Sequence, residues 1–140
     1  MKGVFVDTAG WMMLADAADP QHARARAFRD DWVEDGGVLV STDYVMDETL
    51  TLIRMRLGLP AAEAWWKQVE GSPRVSWEAI DAVRAEKARA WLFRWTDKNF
   101  SFTACTSFVV MREKRLRLAL TSDAHFVQAG FERRPRGKGA

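Results

Sequence analysis

The sequence predicts a small α/β sandwich built on a mainly parallel sheet, and three observations carry that prediction. The apolar runs are short and continuous rather than alternating, as in strands covered on both faces. Stretches of helical composition, with their own start and stop signals, separate them. Runs and stretches follow one another along the whole chain in the order β-α-α-β-α-α-β-α-α-β, the pattern of a sheet sandwiched between helices.

Val4-Phe5-Val6, bounded by Gly3 and Asp7, is the first strand. Residues 9–17, with Trp11, Met12, Met13 and Leu14, form an apolar helix. Asp19-Pro20 reads as an N-cap followed by Pro at the first helical position, and Gly36 closes that helix. Gly36-Gly37 leads into the second strand, Val38-Leu39-Val40. Thr42 or Asp43 caps a helix that runs to about Leu57 and ends at Gly58. Pro60 opens a short helix that stops near Gly71, and Pro73 precedes a weaker third strand, Arg74-Val75-Ser76-Trp77. Residues 78–94 are rich in the good helix formers Ala, Glu, Lys and Arg. Residues 103–115 form the last long helix, and Leu118-Ala119-Leu120-Thr121 is the fourth strand.

A chain of 140 residues is one domain by length and buries roughly 68–70% of its unfolded surface. Its 48% apolar and 29% charged residues are those of an ordinary globule. No repeat, low-complexity stretch or linker divides it, so the expected organisation is one domain over residues 1–132 and a flexible basic tail over 133–140. The single cysteine, Cys105, excludes a disulfide framework within the chain and a zinc site built from cysteines, and fits a reducing compartment. The N-terminal MKGVFVD has too short an apolar run for a signal peptide. No stretch approaches the ~20 apolar residues that span a bilayer. A cytoplasmic protein without membrane contact is expected.

The net charge is only +2, but it is unevenly spread. Arg112, Lys114, Arg115, Arg117, Arg133, Arg134, Arg136 and Lys138 face only Glu113, Asp123 and Glu132 in the same stretch. A basic end beside internal acids suggests a polyanionic partner such as RNA; a solvated helix end and tail has the same composition.

Sites in open α/β sheets form beyond the carboxyl ends of the strands. Asp7 ends strand one and Asp123 lies just past strand four. Either acid alone also suits a turn or a helix cap. Glu48 falls three residues after Val45 and four before Leu52, on the expected inner face of its helix, where a carboxylate is costly unless paired or bound to a cation. Asp47 points away. Three carboxylates converging without a basic partner repel one another, and a hard divalent cation resolves this. Such an ion activates water and stabilises charge on a phosphate in transfer, with no His, Ser or Cys nucleophile. His22 and His125 are isolated, and Cys105 and Ser107 have no readable base partner. The first βα turn, Asp7-Thr8-Ala9-Gly10, lacks the Gly-rich loop of a dinucleotide site, and a phospho-acceptor role for an aspartate finds no supporting base.

Four segments then carry a specific resemblance: Val4-Phe5-Val6-Asp7-Thr8; Thr42 to Leu52 with Asp47-Glu48-Thr49; Asp97-Lys98-Asn99-Phe100-Ser101-Phe102-Thr103 with Cys105-Thr106-Ser107-Phe108; and Thr121-Ser122-Asp123-Ala124-His125-Phe126 with Ala129-Gly130-Phe131. In this order and spacing the chain resembles the VapC-type PIN domains, the ribonuclease toxins of VapBC toxin–antitoxin pairs. The resemblance implies a three-layer sandwich with a central, mainly parallel sheet of four to five strands flanked by helices. It implies a cluster of carboxylates that holds Mg²⁺ or Mn²⁺ and cuts RNA, with Asp7, Glu48 and Asp123 as ligands. Asp97 matches an acid that the family commonly has before its last long helix, as ligand, supporting group or loop cap. It also implies a homodimer and a VapB-type antitoxin lying across the groove. The helix at 9–17 is apolar enough to supply part of that groove, the core, or a dimer contact.

One departure bears on activity. Where the family reads Ser-Leu/Phe-Thr-Asp, this chain reads Ser101-Phe102-Thr103-Ala104. The family's acid is a central metal ligand, and position 104 suits one. It sits in the first turn of its helix, where the dipole favours negative charge, on the face of Phe108 and Met111. Ala104 predicts weakened metal binding and lowered or abolished cleavage, whether it is a deliberate Asp→Ala change in a toxic nuclease or belongs to a natural relative that has lost activity. The alternative is a non-catalytic RNA- or antitoxin-binding module on the same fold. Arg112, Arg115 and Arg117, with Arg54, Arg56 and Lys114, are candidate phosphate contacts. Trp11, Trp65, Trp66, Trp91 and Trp95 are candidates for base stacking, or for core and interface packing.

Overall fold

A computed structural model describes residues 2–137. Its sheet has five strands, all parallel: β1 (Gly3–Val6), β2 (Val38–Thr42), β3 (Val75–Glu78), β4 (Leu118–Leu120) and β5 (Glu132–Arg134), in the order β3-β2-β1-β4-β5. Seven helices cover it: α1 (Thr8–Ala15), α2 (His22–Glu34), α3 (Asp43–Leu57), α4 (Leu59–Val69), α5 (Ala82–Arg94), α6 (Phe102–Glu113) and α7 (His125–Gln128). The strand order reverses direction at β1, between β2 and β4, so the crevice above β1 is where a parallel sheet offers a site.

The central strands are apolar because both faces are covered. Val4, Phe5, Val6, Val40, Ala119 and Leu120 have no measurable exposure. α6 is buried along most of its length, from Ala104 through Met111, and forms the spine of one helical layer. On the other side of the core Trp11 lies between Trp65 and Trp77, at 5.5 and 5.7 Å between ring centroids.

Local chemistry sets the element ends. Thr42 caps α3 by accepting the Val45 N–H at 3.1 Å, and Ser101 caps α6 by accepting that of Ala104 at 3.0 Å. Gly58 ends α3 at φ 99°, a left-handed conformation that frees it to accept no Cβ penalty while its N–H bonds Ile53 and Arg54.

Several expectations are corrected. Asp19 does not cap α2, which starts at His22; its carboxylate instead closes a turn by accepting the Gln21 N–H at 2.8 Å. Residues 78–81 are not helical: Glu78 ends β3 and Asp81 caps α5. α1 spans 8–15 rather than 9–17; its Trp11, Met12, Met13 and Leu14 are buried in the core, while its Thr8, Ala9 and Met12 also line the cleft at Asp7. The domain boundary expected after residue 132 falls inside β5, where Arg133 pairs with Ala119 and Arg134 with Leu120. Glu-Arg-Arg carries no apolar signal because β5 is an edge strand open to solvent, where charge discourages pairing with another chain. Residues 138–140, the end of the expected tail, lie outside the described residues. Among the described residues no helix is long and apolar enough to cross a membrane.

Candidate active site

β1 delivers Asp7 to the crevice, where it is 8% exposed. It serves the fold and the cleft at once. One carboxylate oxygen accepts the Gly10 N–H at 2.8 Å and so caps α1; the other accepts the Thr121 hydroxyl at 2.7 Å. β4 delivers Thr121, whose oxygen in turn accepts the Asp123 N–H at 2.9 Å. Asp123 is half-buried and accepts the His125 N–H at 2.9 Å, opening α7. Both acids therefore close local caps or turns and stand at the same sheet edge.

Asp7, Glu48 and Asp123 line one cleft of about 340 Å³, with Ala104 and Ser107 in its wall. The charges are felt mutually. Asp7 is pushed from 3.8 to about 7, above all by burial; the Gly10 N–H and Thr121 hydroxyl oppose the rise, and the Asp123 and Glu48 carboxylates add to it. Glu48 departs from its expected placement: it is exposed, at the mouth of the cleft, because its helix turns only Val45, Thr49 and Ile53 fully inward. Asp47 is exposed as well.

Ala104 is 8% exposed and faces the cleft from the first turn of α6, so a longer side chain at 104 would enter the space that the three acids border. Among the described residues no three of His, Cys, Asp and Glu stand close enough together to hold a metal ion between them. The acids of the cleft offer carboxylate oxygens, the chemistry Mg²⁺ and Mn²⁺ take, beside the hydroxyls of Thr8 and Ser107, and Ala104 puts a methyl group into the wall.

No family model matches the chain. It is 37% identical over 128 residues to the 23S rRNA-specific endonuclease VapC20 of Mycobacterium tuberculosis, covering 91% of this chain and 95% of that protein. The chain belongs to the VapC-type PIN-domain family. It is also 27% identical to ribonuclease VapC26 of the same organism over 126 residues, 88% of this chain and 89% of that one. The crystal structure of M. tuberculosis VapC20, described as a sarcin–ricin loop cleaving toxin, superposes with a TM-score of 0.82 at 35% identity over 91% of this chain and 95% of that one. FitAcB from Neisseria gonorrhoeae shares the fold at 16% identity, with a TM-score of 0.61 over 93% of this chain and 95% of that one.

Within this VapC-type fold the structure brings together Asp7, Glu48, Asp123 and Ala104, with Arg56 beside them, and leaves Asp97, Arg112, Arg115 and Arg117 outside the cleft. Asp97 lies in the exposed turn after α5, paired with Lys98 at 3.3 Å, and does not line the cleft. A motif match locates it in sequence, but a loop that turns outward carries it away. Arg112 is eight residues beyond Ala104 along α6, about 12 Å down the axis, and lies over the Trp91 ring at 4.7 Å. Arg115 and Arg117 line neither that cleft nor its neighbours, and Arg117 precedes β4 whereas Asp123 follows it. Lys114 pairs with Glu78 at 3.4 Å. The cation in the cleft wall is Arg56, two turns beyond Glu48 on α3. Trp11 and Trp65 are core, 2% and 5% exposed.

Thr121 and Asp19 are the site residues sequence reading missed. Asp19 is a fourth acid in the cleft lining, hidden by its cap-like Asp-Pro context. The Thr-x-Asp spacing at 121–123 was the available signal for Thr121. His125, expected to be isolated, stands with Nδ1 3.4 Å from Asp123. Cys105 is buried, which pushes its thiol up to about 11 and removes it as a nucleophile.

Proposed function

We propose that this chain is the scaffold of a metal-dependent endoribonuclease, the toxin of a type II toxin–antitoxin pair, impaired by Ala104. The observation that carries this reading is the convergence of Asp7, Glu48 and Asp123 on one cleft whose wall contains Ala104. The donor set fits Mg²⁺ or Mn²⁺ in kind, and Asp7, Glu48 and Asp123 are the residues that would hold it. A divalent ion there would supply charge compensation for a phosphoryl group in transfer and lower the pKa of water.

The chain's own residues do the rest. Thr121 holds Asp7 and Asp123 in register through one hydroxyl. Burial first, and the Asp123 and Glu48 carboxylates after it, raise the proton affinity of Asp7, and a cation beside it would offset that cost. Arg56, on the cleft wall, is placed to pair with a backbone phosphate and orient the strand. The substrate class is RNA, and likeness to VapC20 points to a structured ribosomal loop. Partners in this reading are a VapB-type antitoxin covering the cleft and a second copy of the chain.

A second reading, a binding module without catalysis, is favoured by the absence of three acids at ligating distance among the described residues. Cleavage of a mixed RNA pool with Mg²⁺ or Mn²⁺ separates the two. If Ala104→Asp cuts and the added Asp7→Asn stops it, the nuclease reading stands. If Ala104→Asp cuts nothing, the binding module replaces it.

A further inference from the structure

α5 and α6 pack along one another, and beside them opens a groove of about 710 Å³, larger than the carboxylate cleft. Trp91, Trp95, Phe100, Lys87, Arg94 and Arg112 line it. It shares no lining residue with the cleft; Phe100, which lines the groove, is followed in the chain by Ser101, which lines the cleft.

Two of its cations lie over two of its rings. Arg112 lies over the Trp91 ring at 4.7 Å and Arg94 over the Trp95 ring at 5.5 Å. Among the described residues neither guanidinium pairs with a carboxylate. The acid in the lining, Glu113, is engaged by Arg84 at 3.0 Å and Lys87 at 3.6 Å. Trp95 is 42% exposed. A guanidinium over an indole, with no carboxylate partner, keeps N–H groups free for a phosphate, and an exposed indole offers a face on which a base can stack. Unpaired nucleotides use both; an acidic peptide uses only the charge.

We propose that the α5–α6 groove is a second RNA-contact surface that grips an unpaired stretch of substrate outside the cleavage cleft. RNA passes from groove to cleft at Phe100–Ser101, so the groove selects substrates with single-stranded nucleotides flanking the scissile bond. This rests on the reading of the chain as an RNA-cutting scaffold.

The test uses the Ala104→Asp protein and a hairpin RNA with an unpaired loop, alone and with Arg94→Gln plus Arg112→Gln, or with Trp95→Ala. The expected result is a KM raised about tenfold with kcat kept within about twofold, and a salt slope of binding reduced by about one per arginine removed. Trp95→Ala, at an exposed position, raises KM in the same direction if the arginine pair disturbs folding. If the parent cuts and every groove variant keeps its KM and salt slope, the groove assignment is overturned while the nuclease reading survives. Loss of self-association in the same variants, without effect on RNA, makes the groove a contact between copies and also overturns it. If the parent neither cuts nor binds the RNA, both readings fail together.

Discussion

The hydroxyl of Thr121 donates to Asp7 Oδ2 at 2.7 Å across 114 positions of sequence. Because the same oxygen accepts the Asp123 N–H, one side chain registers two strand-end acids against each other. Thr121→Val removes that link with little change of volume and leaves the Asp7 oxygen short of a donor. It is expected to lower unfolding free energy by about 1–3 kcal/mol and, in the Ala104→Asp background, cleavage by roughly 10–100-fold. Thr121→Ser should restore most of both. Equal activity of the Val and Ser variants would remove Thr121 from the site.

The Asp7 shift makes stability depend on pH. The folded state raises this carboxyl from 3.8 to about 7, so between those values the folded chain binds the proton more tightly than the unfolded one. The contribution of Asp7 to stability is therefore greatest below the unfolded value, falls as pH rises toward 7, and levels off above. The full rise corresponds to roughly 4 kcal/mol. With chelator present, the melting temperature should fall from pH 5 to pH 8, and Asp7→Asn should flatten that fall. A parallel fall in both proteins would assign the pH dependence elsewhere.

Gly10 is in α1, where alanine would normally stabilise a helix by about 1 kcal/mol. Here a Cβ would stand 2.0 Å from the Leu120 carbonyl oxygen and 2.9 Å from Val6 Cγ1. Gly10→Ala must push α1 off β4, at about 1–3 kcal/mol or more, and displace the cap that Asp7 provides. Chemical denaturation measures it; an unchanged or raised stability would show that the helix does not approach the sheet so closely.

Arg115 follows α6 at φ 56°, in the left-handed conformation where glycine is usual. The Leu116 N–H bonds Met111 O at 2.8 Å and the Arg115 N–H bonds Arg112 O at 3.2 Å, closing the helix end. Arg115→Gly relieves roughly 1 kcal/mol of backbone cost, so the melting temperature should rise by a few degrees while RNA binding is unchanged. A lowered melting temperature would show that the Arg115 side chain stabilises the fold.

The parallel sheet was legible because burial on both faces writes continuous apolar runs, as in Val4-Phe5-Val6. β5 was not, because an exposed edge strand such as Glu132-Arg133-Arg134 is written in charge. Asp7 and Asp123 were legible as strand-end acids, and Ala104 from its motif and helical face. Glu48 borders the same cleft, but from an exposed helix edge rather than from the inner face its spacing predicts. Asp97, Arg112, Arg115 and Arg117 stand outside the cleft because sequence proximity to a motif does not fix which way a loop or a helix end points, whereas Arg56 lines it. Thr121 reads as one more strand residue until the fold sets it against Asp7.

The central claim is that Asp7, Glu48 and Asp123 form a metal site lacking the ligand that position 104 would provide. Calorimetric titration with Mn²⁺ tests it most directly, on the unsubstituted chain, on Ala104→Asp, and on Ala104→Asp with Asp7→Asn. The account predicts that Ala104→Asp tightens binding by about tenfold or more and that Asp7→Asn removes the gain, as loss of one charged oxygen ligand should. Equal affinity in all three proteins would contradict it.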